Sequence, residues 1–214
     1  MNNSIGYEDI KGILFSISKE MEANKELLTE LDAAIGDGDL GLTMCAGFSK
    51  IAETLQGMEE TTVGRVLAAS GMVMNKTVPS TMGTILSTAM LKMGIFAKDM
   101  REVGLEATVP LCEAGLNGIM GIGKSKPGDK TVLDSLYPAL EAFKASLAGG
   151  ADIAGACADA YRAAAEGAAR TKEMKSVHGR GAWYGEKSIG KQDPGATAGM
   201  LIVKGISGWY GSGA

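Results

Sequence analysis

The sequence is poor in the residues that build several common kinds of site. It has one histidine, His178, and three cysteines, Cys45, Cys112 and Cys157, with no CxxC pair in 214 residues. A His- or Cys-rich zinc centre is thereby excluded, and a Ser-His-Asp hydrolase survives only if His178 is its base. The scattered cysteines read as small buried side chains in a reducing cytoplasm, not as a disulfide framework. Aromatics are only 5% of the chain, which argues against a core of packed sheets. No apolar run reaches membrane-spanning length, and the opening MNNSIGYEDIKG has no signal-peptide core. A net charge of −4 leaves no basic footprint for nucleic acid.

What is present favours helices. Hydrophobic residues make up 45%, with 13 Met among them, and a core of Ala, Leu, Ile and Met suits close helix packing. The length fits one domain. Over residues 7–31 the apolar positions Ile10, Ile13, Leu14, Ile17, Met21, Leu27, Leu28 and Leu31 step mostly by three and four. The same spacing predicts helices over 42–55, 61–74, 81–95, 103–120, 130–147, 152–171 and 194–206. Asp129 is placed to cap the helix over 130–147, and Asp193-Pro194 is a cap followed by Pro at the first helical position. The expectation is an all-α chain of about eight helices with no strand. The Gly/Ser-rich end, 207–214, reads as a frayed tail.

The chemistry concentrates in turns. Asp32, Asp37 and Asp39 crowd three carboxylates into eight residues at a chain reversal, around Gly36 and Gly38. Such charges repel unless solvated or neutralised, and an oxygen-only set suits Mg²⁺ shared with phosphates. An ordinary solvated turn uses the same residues. Ser80 and Thr81 open a helix after Pro79, which is either plain capping or an anion site. Pro127-Gly128-Asp129-Lys130-Thr131 and Gln192-Asp193-Pro194-Gly195-Ala196-Thr197 repeat the pattern of a polar turn feeding a helix. The segments 121–130 and 173–192 are polar, Gly-rich and long for helix connections, which marks them as functional loops. There is no GxxxxGK[ST] loop and no dinucleotide fingerprint, so any nucleotide site is of another kind.

Three stretches, 31–44 (LDAAIGDGDLGLTM), 123–134 (GKSKPGDKTVLD) and 179–197 (GRGAWYGEKSIGKQDPGAT), resemble the nucleotide-binding L subunit of bacterial dihydroxyacetone kinases. The resemblance implies an eight-helix antiparallel barrel with ADP or ATP at one end. Asp32, Asp37 and Asp39 match the family's carboxylates for two Mg²⁺ ions. Leu40, Gly41, Leu42 and Thr43 match the segment that follows them, and Ser80 and Thr81 fall in the phosphate-loop region. Gly123, Val132, Arg180, Asp193, Pro194 and Gly195 match positions around the adenosine. The family's ketose is held on a separate K subunit, and in some systems an M subunit of the phosphotransferase system rephosphorylates the bound ADP. This sequence departs twice: Leu40 stands where a His is usual, and the phosphate loop, residues 77–83, is shortened. Two function classes follow: a cytoplasmic kinase subunit active with a partner, or a nucleotide-binding regulatory module without phosphotransfer. The first includes a paralogue serving another short sugar.

Overall fold

A computed structural model describes residues 4–59 and 62–211. Its helices are α1 (Tyr7–Ala23), α2 (Lys25–Ile35), α3 (Leu40–Gln56), α4 (Val63–Thr77), α5 (Thr81–Phe96), α6 (Leu105–Gly123), α7 (Leu133–Ala148), α8 (Ile153–Arg170) and α9 (Pro194–Gly211). Among the described residues nine α-helices make eight rods, with α1 and α2 meeting at a break at Asn24 within the first. There the backbone N–H and the side-chain amide of Asn24 both donate to Glu20 O, at 3.1 and 2.8 Å. Periodicity runs through such a break undisturbed, so the sequence shows one helix where the fold has two.

Each rod packs on the next in chain order, and α9 returns to α1 and closes the ring. Of the apolar stripe predicted for residues 7–31, Ile10, Ile13, Leu14, Ile17, Met21 and Leu28 are buried, Leu31 is half-buried and Leu27 is exposed at 42%, because the stripe is offset across the break at Asn24. Phe48, Met44 and Met74 are fully buried around the axis. The side chains leave a central apolar cavity of about 260 Å³, bordered by Phe48, Leu86, Met90, Leu111, Phe143 and Val203.

Three expectations are corrected. A short antiparallel pair exists, β1 (Ser4–Gly6) with β2 (Glu102–Gly104), in register Ser4 to Gly104. Three residues are too few to display a period of two. Asp129 does not cap α7, because its carboxylate is taken by the Lys126 N–H and by His178; α7 starts after Val132. Finally, α9 continues to Gly211, well into the segment expected to fray, while residues 212–214 lie outside the described residues. Trp209 and Tyr210 pack on the core cluster. A Cβ on Gly12 would stand 2.2 Å from the Trp209 ring, so α1 lets the indole lie directly on its backbone.

The alternation of rods has one consequence for function. Connections after α2, α4, α6 and α8 all fall at one end of the barrel. These are residues 36–39, 78–80, 124–132 and 171–193, the four polar turns in which the sequence concentrates its chemistry. The helices that leave that end, α3, α5, α7 and α9, all point their N-termini there, with their free N–H groups and partial positive charge.

The first of these turns depends on a close helix contact. A Cβ on Gly41 would meet Lys25 O at 2.1 Å and Thr29 Oγ1 at 2.3 Å, so α3 begins in contact with the backbone of α2. Gly41→Ala is expected to lower stability by about 1–3 kcal/mol, since the obstacle is backbone that cannot rotate away. Urea unfolding measures this, and a variant as stable as the parent would contradict the contact.

Candidate functional site

The Asp turn is held by its own backbone. Asp32 lies in the last turn of α2, and Gly38 turns the chain at φ +76°. Asp32 Oδ2 accepts from the N–H groups of Asp39 and Leu40, at 3.0 and 3.2 Å, so it fastens the start of α3 from across the turn. Asp39 precedes α3 but makes no side-chain cap bond. One carboxylate oxygen from each of Asp32, Asp37 and Asp39 lies within 4.8 Å of the others. Ligands on one octahedral Mg²⁺ stand roughly 3–4 Å apart, so small side-chain adjustments bring this oxygen-only set onto an ion. Burial holds the Asp32 carboxyl above its usual range, and the charges of Asp37 and Asp39 add to the rise. The Leu40 and Asp39 amides oppose it.

The positive charge beside these carboxylates comes from residues far along the chain. Arg180 forms a two-bond fork on Asp37, Nη1 to Oδ1 and Nη2 to Oδ2, each at 2.8 Å. Lys191 donates to Ala34 O at 2.7 Å, and its ammonium stands 5.4 Å from the centre of the Tyr184 ring. Arg180, matched to the adenosine side by the resemblance, is therefore seen here at the carboxylates.

The residues after the Asp turn divide by role. Leu40 is buried in the main apolar cluster. Thr43 Oγ1 donates to Leu40 O at 3.0 Å, and Leu42 is exposed. At the second turn, Ser80 caps α5 by accepting from the Gly83 N–H at 3.2 Å, and Thr81 is exposed at the helix start. Neighbouring this turn are other predicted positions. A Cβ on Gly195 would lie 3.1 Å from Met82 Cε and 3.5 Å from Val132 N, and one on Gly123 would lie 3.9 Å from Ile85 Cδ1. Gly123, Val132 and Gly195 thus gather around the first turns of α5. Asp193 precedes Pro194 and accepts from the Ala196 N–H at 2.7 Å. Burial pushes the Asp193 carboxyl up to about 7, against the pull of that N–H and of Lys130.

Sequence reasoning missed what joins these groups. The buried Asp134 carboxylate accepts from Gly128 N at 2.6 Å and Thr131 N at 2.7 Å, which shapes the 127–131 turn. Asp129 Oδ2 lies 3.0 Å from His178 Nε2, and Asp129 O accepts from Val177 N at 3.2 Å. The hydrogen bonds and desolvation act oppositely on Asp129: burial raises it, but the Lys126 and His178 bonds outweigh this and hold it low. His178 is thus committed to clipping one loop to another. Lys130, named in the sequence only as part of a turn, is 2% exposed and bonds three carbonyls of the 171–193 connection. No local pattern announces a contact between residues 44 to 61 positions apart.

Comparison with known proteins identifies the family and the fold. Residues 34–208 match the DAK2 domain family. The ADP-binding subunit DhaL of the PEP-dependent dihydroxyacetone kinase of Escherichia coli is 34% identical, over 84% of this chain and 85% of that protein. The corresponding subunit of dihydroxyacetone kinase 1 from Listeria innocua is also 34% identical, over 88% and 89%. An L-erythrulose 1-kinase of Mycolicibacterium smegmatis is 29% identical over 92% of this chain, which spans 35% of that protein. Among solved structures, the dihydroxyacetone kinase of C. freundii in complex with AMP-PNP and Mg²⁺ shares the fold, with a TM-score of 0.74 at 24% identity. That match covers 93% of this chain and 33% of the other.

Proposed function

This chain belongs to the DAK2 domain family, and on that premise we propose that it is the nucleotide-binding subunit of a dihydroxyacetone-kinase-type phosphotransferase. The observation that carries the reading is the convergence of Asp32, Asp37 and Asp39 at the barrel end where four helices begin. Phosphoryl transfer needs positioning and charge stabilisation more than covalent chemistry by the protein. Magnesium, when bound, supplies neutralisation of the phosphate charge. Asp32, Asp37 and Asp39 hold it, with two ions as the expected number. The residues at the start of α3, Leu40 to Thr43, and those at the start of α5, Ser80 and Thr81, offer N–H groups and hydroxyls to the phosphates. Gly123, Val132, Asp193, Pro194 and Gly195 border the nucleoside. Arg180 is then free to leave Asp37 for the nucleotide, since a cation in the carboxylate cluster repels the guanidinium.

The acceptor is a ketose carried by a separate K subunit in the cytoplasm. The donor is ATP, or ADP rephosphorylated in place by an M subunit of a phosphotransferase system. A relative named for L-erythrulose widens the acceptor to short ketoses generally. The alternative reading, a regulatory module without phosphotransfer, drew on Leu40 replacing a His. Leu40 packs into the core at 7% exposure, so this position does not present its side chain to the reacting groups.

Calorimetry on the intact chain tests the proposal directly. ADP binds in Mg²⁺ and loses most of its affinity in EDTA. Affinity indifferent to EDTA, or no binding under either condition, would overturn it.

A further inference from the structure

The deepest cation in the protein sits outside the carboxylate cluster. Lys130 is 2% exposed and has no carboxylate within ion-pair distance among the described residues. Burying an ammonium is costly unless every proton finds an acceptor. Here all three do: Nζ donates to Met174 O at 3.2 Å, Ser188 O at 2.5 Å and Lys191 O at 2.7 Å. An ammonium has three donors and no acceptor, so carbonyls satisfy it completely. Burial lowers its proton affinity, and the nearby Asp193 charge raises it again. The backbone of Lys130 is left-handed, φ +61°, a conformation that costs free energy in a non-glycine residue and persists only where surroundings fix it.

The three carbonyls come from both ends of one loop. Met174 stands at its entry, and Ser188 and Lys191 at its exit. The preceding residue, Asp129, holds Val177 and His178 of the same loop. Residues 175–187 therefore project as a closed loop from one clamp point. The outer part holds 3₁₀ turns that begin at Arg180 and kink at Gly185, and Arg180 reaches Asp37 from there. Lys191 links the two ends of the site: its carbonyl accepts from Lys130 while its ammonium holds Ala34 O, next to the Asp turn.

We propose that Lys130 is a positioning residue for the nucleotide site, tying both ends of the 174–191 loop so that Arg180 is delivered over the carboxylate cluster. This rests on the nucleotide reading of that cluster. Lys130 touches neither metal nor nucleotide. Its effect passes through the loop, so removing it loosens Arg180 and leaves the carboxylates in place.

The test compares the parent with Lys130→Met, Arg180→Ala and the double variant. Hydrogen exchange is read without ligand, and affinities are read for Mn²⁺ alone and for ADP in Mg²⁺. Lys130→Met should speed exchange over 175–190 by at least about tenfold, because three charge-assisted bonds are lost. Protection in α1 to α5 and Mn²⁺ affinity should stay at parent levels. ADP affinity should fall about tenfold or more, and Arg180→Ala should add little in the double variant. Unchanged loop exchange, or additive losses, would overturn the proposal. If Lys130→Met does not fold, exchange in the parent decides. Residues 126–131 and 174–191 should then open together, with one common opening free energy, and separate opening refutes the clamp. A parent that binds no ADP in Mg²⁺ overturns the nucleotide reading and this proposal with it. A parent that binds, beside a Lys130→Met variant that binds equally, overturns the clamp alone.

Discussion

Asp37→Asn is expected to weaken ADP binding in Mg²⁺ by about 100-fold or more, while binding in EDTA stays near the parent value. Changes one shell out from a metal typically cost about 10–100-fold in affinity, and Asp37 is proposed as a direct ligand, so the expected loss lies at or beyond that range. Asn keeps the shape and one carbonyl oxygen but removes the negative charge that a hard cation requires. The EDTA arm separates this from a structural effect, because Asp37 also holds Arg180 through two bonds. Freeing Arg180 puts a guanidinium within reach of the phosphates, so metal-free affinity should hold or rise slightly. Calorimetry in the two buffers measures both arms. Equal affinity for variant and parent in Mg²⁺ would remove Asp37 from the ligand set.

The second large effect is on turnover. The isolated chain with ATP, Mg²⁺ and dihydroxyacetone should show no ketose phosphorylation above background, and a K-type subunit should restore it by at least about 10³-fold. Fixing an acceptor hydroxyl in line with the phosphoryl group carries effective molarities of about 10⁵–10⁸ M, and on the proposed reading the partner subunit supplies that positioning. The sole histidine is engaged by Asp129 at 3.0 Å and belongs to the loop clip. It is therefore not available to hold a ketose. A coupled assay for ADP release measures the rate. Robust turnover by the chain alone, abolished by His178→Ala, would place the acceptor site within this chain.

Much of the fold is legible in the sequence, for identifiable reasons. The helices declare themselves because each buries one stripe against its neighbours, as with Ile10, Ile13, Leu14 and Ile17. The carboxylate cluster is legible because its members lie within eight residues, so local sequence already places them together. The unread parts are those decided by distant contacts. Gly and Ser after Ile206 look like a loose end, yet Trp209 lying on Gly12 keeps α9 helical to Gly211. Asp129 looks like a helix cap, but His178, 49 residues away, competes for it. Arg180 and Asp37 are separated by 143 positions, and only the closure of the 171–193 connection brings them to 2.8 Å.

The even number of rods has a further consequence. Because α1 enters and α9 leaves at the end opposite the Asp turn, and the two helices pack side by side, a domain fused at either extremity grows away from the carboxylate cluster. The same wiring is compatible with circular permutation. Joining the ends of α1 and α9 with a short bridge and opening the chain at residues 149–152, on the far rim, would leave all four site turns uncut. A barrel wired in this way can be carried as a separate subunit or as one segment of a longer chain without altering the end that holds the four polar turns.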